Sequence, residues 1–139
     1  MSVSSGDFAL EPLIRKLTEV GDGRILTLIR QNLAEEAVDL VKQGFERESE
    51  PFGAPWAPLK RRTGKILQDT GRLKNSFTPR ATADGFRIVT NVAYAQYHQR
   101  GTRRMVARPL VPTGTHLPDA WLVAFHRVVD EILVDFFKT

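Results

Sequence analysis

Cysteine is absent from this 139-residue chain. That excludes disulfides, thiolate metal sites and a cysteine nucleophile, and it is compatible with a reducing cytoplasm. No run of about 18 apolar residues occurs, so no membrane-spanning helix is expected. Met1 to Asp7 lacks a basic stretch followed by an apolar core, so no secretory signal peptide is expected either. The three histidines, His98, His116 and His126, fit neither an HxxxH nor an HExxH spacing that would place two metal ligands on one helix face. Gly101-Thr102 and Gly114-Thr115 lack the rest of a P-loop, and there is no nucleophile elbow, catalytic carboxylate pair or dinucleotide loop. The sequence therefore points to no enzyme, no cofactor and no metal. A spatial cluster of His98, His116 and Asp119 is the one such arrangement it leaves open.

What is present is ordinary in amount and unusual in distribution. A chain of this length fits one domain over residues 1–139 and can bury roughly two-thirds of its unfolded surface. With 42% hydrophobic and 26% charged residues it has the composition of a soluble globular protein. The formal net charge is +4. Lys60, Arg61, Arg62 and Lys65 form one basic cluster, and Arg100, Arg103, Arg104 and Arg108 form another. Acidic residues gather at Glu35, Glu36, Asp39, Glu46, Glu48 and Glu50. Either basic cluster could be a plain solvated loop, or a surface meeting an acidic protein or DNA. A small basic nucleic-acid-binding protein is the alternative function. Four arginines without a recognised nucleic-acid fold support it only weakly.

The hydrophobic pattern predicts helices at both ends and strands between them, an α+β fold. Leu10, Leu13, Ile14 and Leu17 give Phe8 to Val20 helical spacing before Gly21-Asp22-Gly23 breaks it. Asp22 can cap a second helix. Its stripe comprises Ile25, Leu26, Leu28, Ile29, Leu33, Ala37, Leu40, Val41 and Phe45 and is terminated by Pro51. Asn75–Ala81 and Phe86–Val92 flank Asp84-Gly85, a hairpin signal, and Pro79 marks the first strand as an edge or a bulge. A lone hairpin is unstable, so it must lie on the long helix, gain a third strand, or pair across a subunit boundary. Pro118 suits the first position of a last helix running to Phe137. The two long helices are expected to pack on one face of a small, mostly antiparallel sheet.

Between these elements lies a segment rich in turn residues yet hydrophobic. Pro51-Phe52-Gly53-Ala54-Pro55-Trp56-Ala57-Pro58-Leu59 is too broken for a regular element, and Trp56 is costly to expose, so the loop should be pinned by that ring. Leu67-Gln68-Asp69-Thr70-Gly71-Arg72-Leu73 and Tyr94-Ala95-Gln96-Tyr97-His98-Gln99-Arg100-Gly101-Thr102 follow. All three combine aromatic or apolar anchors with Gly or Pro where the backbone turns.

Taken in order from Phe45, these three motifs and Ala107-Arg108-Pro109-Leu110 resemble the phage virion morphogenesis family. That group includes the Mu-type tail completion and head–tail joining proteins. The resemblance spans about Phe45 to Leu110. Two departures are the short region between Thr63 and Leu67 and the compact stretch after Gly101. It implies a structural protein of a tailed phage, a prophage or a phage-derived particle, present in the host bacterial cytoplasm during assembly and then in the tail or neck. Its implied partners are tail-tube, tail-terminator or neck/connector proteins and other copies of itself, with DNA contact weakly supported and no membrane. It also gives the motifs a mechanical sense. Gly71 would turn the chain into the first strand ahead of Leu73, and Trp56 and Leu59 would anchor the long loop. Tyr94 and Tyr97 would pack the end of the hairpin onto the helices before the turn at Gly101. Arg108-Pro109 would open the segment leading to the last helix. Lys60, Arg61, Arg62, Lys65, Arg100, Arg103 and Arg104 are the candidate partner-binding residues.

Overall fold

The computed structural model describes residues 2–4, 23–59, 64, 66–67, 71–83, 85–113 and 116–137. The expected helix from Phe8 to Val20, the Asp22 cap and Asp84 lie outside the described residues. The architecture is α+β, as the periodicity predicts.

Helix α1 (Gly23–Arg47) is the spine. Its buried residues recur every three or four positions: Ile25, Leu26, Ile29, Leu33, Ala34, Ala37, Val38, Val41 and Phe45. Leu28, assigned to the stripe from sequence, falls off it and is exposed. The helix also ends before Pro51. Glu48 adopts a left-handed conformation (φ 53°), its N–H donates to the Phe45 carbonyl, and Ser49 N–H donates to the Gly44 carbonyl. This is a Schellman closure with glutamate at the position glycine usually takes. Pro51 belongs to the turn that follows.

Three antiparallel strands form the sheet, in the order β1 (Ser2–Ser4), β3 (Phe86–Thr90), β2 (Phe77–Ala81). Ala81 pairs with Phe86 and Pro79 with Ile88, so β2–β3 is the expected hairpin, and Pro79 sits on an edge strand. The third strand comes from the N-terminus, with Val3 opposite Ile88. Both hairpin strands are shorter than the sequence predicts, because side chains compete for the backbone. Asn75 Nδ2 and Ser76 Oγ donate to the carbonyls of Gly71 and Leu73, which holds Lys74–Ser76 in a 3₁₀ turn. At the other end Thr90 Oγ1 accepts the Val92 N–H and ends β3.

A short helix α2 (Ala95–Arg100) and a long helix α3 (Asp119–Phe137) complete the order. Pro118 lies one position outside α3, where its carbonyl accepts the N–H groups of Trp121 and Leu122. α1 packs against β2, β3 and α3. Phe125 on α3 reaches the sheet, edge-on to Phe86 with ring centroids 5.8 Å apart. Phe45, Phe86 and Phe125 are the largest fully buried side chains.

Candidate functional site

The loop after α1 is built outward from Glu48. Its carbonyl accepts the Trp56 N–H at 2.8 Å, and its carboxylate accepts the Ile66 N–H. Gly53 (φ 101°) lets the chain reverse between Glu50 and Ala54. The reversal delivers Trp56 to the core, 6% exposed and edge-on to Phe45 at 5.3 Å. Its indole N–H donates to the Pro109 carbonyl at 2.9 Å. A buried indole keeps its polar end satisfied in this way.

Arg108 answers from the opposite side. It is 8% exposed, and Nε and Nη2 donate to the carbonyls of Ala57 and Pro58 at 2.9 and 3.0 Å. Its own N–H donates to the His98 carbonyl at 2.7 Å. One residue further along α2, the Gln99 amide grips the same segment. Oε1 accepts the N–H groups of Leu110 and Val111, and Nε2 donates to the Val111 carbonyl. The loop after α1, the helix α2 and residues 108–111 thus form one hydrogen-bonded junction. Leu59 packs on the core beside it, and Leu73 is buried.

His98 sits half-buried in this junction, its ring edge-on to Tyr94 at 5.8 Å. Its Nδ1 is buried without a hydrogen-bond partner. Burial, and then the neighbouring Arg108 charge, push its pKa below the usual histidine value, which favours the neutral ring.

From the junction the chain projects a tight two-residue hairpin. Thr102 and Met105 exchange N–H···O bonds of 2.8 and 3.3 Å, and Arg104 N–H donates to Thr102 Oγ1. Gly101 closes the base with φ 75° and ψ 172°, a region essentially open only to glycine. A Cβ there would lie 2.8 Å from the Ala107 nitrogen. Arg103 and Arg104 occupy the tip and Arg100 its base, all three exposed. No carboxylate of the described residues pairs with them.

The expectation for Tyr94 and Tyr97 needs correcting. They are 38% and 50% exposed and do not pack the hairpin onto the helices. α2 has fewer than two turns and turns only Ala95 into the core, while Val92 fills the neighbouring space. Gly71 (φ 73°) does make the turn ahead of β2. Lys60, Arg61, Arg62 and Lys65 lie outside the described residues. Gln99 and Glu48 were not singled out from sequence. Nothing in their sequence neighbourhoods distinguishes them from surface polar residues.

A groove of about 570 Å³ runs between the second half of α1 and the first half of α3, closed at one end by residues 49–53. Phe52 and Val123 stand exposed along it. Arg127 and Glu36 form an ion pair at 3.1 Å within it. Glu50, Asp119 and Arg47 also line it, without charged partners among the described residues. Among the described residues no group of three or more His, Asp or Glu is placed to hold a metal ion, and no helix is long and apolar enough to cross a membrane.

The model of the phage virion morphogenesis family matches residues 7–119. The chain belongs to that family, in agreement with the order of its central motifs. No curated protein and no solved structure matches the chain.

Proposed function

We propose that this chain is a non-enzymatic structural component that completes the tail or joins head to tail in a tailed phage or prophage particle. It works as one domain, residues 1–139, and as a member of a ring. Its partners are tail-tube, tail-terminator or neck/connector proteins and further copies of itself. It acts in the host cytoplasm during assembly and ends in the tail or neck of the virion.

The observation that carries this reading is the ordered basic tip. Arg103 and Arg104 are held clear of the core on a hairpin whose base is fixed by Gly101 and by the Arg108 and Gln99 bonds. Positioned charges with no acidic partner among the described residues serve recognition of an acidic surface better than they serve stability. Family membership supports the assembly context.

Deleting the gene tests the reading. Lysates should then accumulate heads and tails that fail to join, or tails of aberrant ends, by electron microscopy, and the parent gene supplied in trans should restore virions. Normal particles without the gene would overturn it. Tight DNA binding with a steep salt dependence by the purified protein would favour a nucleic-acid role instead.

A further inference from the structure

We propose that the basic tip of one copy seats in the α1–α3 groove of a second copy, so that the chain assembles head to tail. This rests on the assembly role above and names the surfaces that carry it.

The two surfaces share no residue. The tip side carries Arg100, Arg103 and Arg104 with Tyr97 (50% exposed) and Val106 (48%) beside them. The groove side carries Phe52 (55%) and Val123 (70%), the most exposed large hydrophobic residue described. Each surface thus places exposed apolar groups beside charges that have no charged partner among the described residues.

The charges are complementary. Within the groove Arg127 and Glu36 neutralise one another, leaving Glu50 and Asp119 against the single cation Arg47. Asp39, three residues on from Glu36 and four before Gln43, is exposed beside the lining face of α1 and adds one negative charge there. The excess acidic charge of the groove suits the three arginines of the tip, which have no acidic partner among the described residues.

The size also fits. A groove of about 570 Å³ accepts a two-residue turn and its flanking side chains, not a whole domain. Tip and groove are different patches, so copies not related by a two-fold axis meet through a heterologous contact. Such contacts propagate and close into a ring when the rotation between copies permits. A reciprocal two-fold dimer would instead engage both tips and both grooves and could not extend.

A charge-swap experiment on the purified full chain tests this. Arg103→Glu/Arg104→Glu makes both surfaces acidic, and Glu50→Lys/Asp119→Lys makes both basic. Sedimentation velocity should show the parent self-associating and each variant alone weakened by about tenfold or more. An equimolar mixture of the two variants should recover association, since each tip then meets an opposite groove. A parent that stays monomeric, variants that associate like the parent, or a mixture that does not recover would each overturn the proposal.

Circular dichroism checks that the variants fold, and cysteine pairing covers the case in which they do not. The chain has no cysteine of its own. Mixed Val106→Cys and Val123→Cys proteins should give a disulfide-linked heterodimer on mild oxidation, in excess over either homodimer. Equal or greater homodimer yields would show that tip does not meet groove. These measurements need no phage. Loss of self-association contacts here would leave the gene-deletion result standing, and the reverse also holds.

Discussion

Trp56 donates its indole N–H to the carbonyl of Pro109 at 2.9 Å, across 53 positions of sequence. The adjoining Arg108 donates back to Ala57 and Pro58, so two proline-bearing loops hold each other through three hydrogen bonds of opposite direction. The ring itself plugs against Phe45 at the end of α1. This clasp supports α2, and α2 supports the basic tip.

Replacement of Trp56 separates the ring from its N–H. Trp56→Ala should cost about 3–5 kcal/mol, the range for deleting a large buried aromatic. Trp56→Phe keeps most of the ring but strands the Pro109 carbonyl, and should cost about 1–3 kcal/mol. Urea denaturation measures both. An alanine variant with the parent midpoint would show that the loop is not pinned here.

Arg108→Lys should behave unlike a conservative change. A single ammonium cannot reproduce the planar fork that reaches two carbonyls at once. The expected loss is about 1–3 kcal/mol, with increased protease sensitivity near residues 57–58 as the local readout. Parental stability would mean that water replaces the guanidinium without penalty.

Two glycines with positive φ should respond differently to alanine. At Gly101 the new Cβ would meet the Ala107 nitrogen at 2.8 Å and the Met105 oxygen at 3.0 Å, whereas at Gly53 nothing lies within 4 Å. Both carry backbone strain of about 1–3 kcal/mol, but only Gly101→Ala adds a clash with backbone. Thermal melts should rank Gly101→Ala clearly below Gly53→Ala. The opposite ranking would contradict the tip geometry.

His98 makes stability depend on pH. Its folded pKa is depressed by burial and then by the Arg108 charge, so the unfolded chain binds the proton more readily. The stability His98 contributes is present above the ordinary histidine pKa near 6.5 and is lost as pH falls through its lower folded value. Denaturation midpoints should therefore fall from pH 7.5 toward pH 5.5, and His98→Gln should flatten that slope. An unchanged slope in the variant would show that His98 is not the source of the pH dependence.

Much of the fold was legible because it depends on local pattern. The three-to-four-residue spacing that runs through the 25 residues of α1 and the hairpin between β2 and β3 can be read from periodicity and turn residues alone. Trp56 could be marked as an anchor because an exposed tryptophan between prolines is costly. What it anchors to could not be read, since the Pro109 carbonyl is a backbone group with no sequence signature. Gln99 escaped for the same reason, because its three partners are all backbone atoms. β1 was missed because three residues, Ser2–Ser4, carry too little periodicity to announce a strand. The tyrosines misled because aromatics are usually read as core, and a helix as short as α2 has almost no core face. The tip was legible as a run of arginines, whereas the groove joins residues on α1 and α3, the loop after α1 and the residues just before α3, and exists only after folding.

Complementation with the Arg103→Glu/Arg104→Glu protein tests the central claim most directly. Exposed loop charges contribute little to stability, so the purified variant should melt within about 0.5 kcal/mol of the parent. Supplied to a phage lacking the gene, it should nevertheless fail to restore joined virions, with unattached heads or incomplete tails seen by electron microscopy. Normal titre and normal joined particles from a folded, expressed variant would contradict the account, because the basic tip would then not be the docking surface.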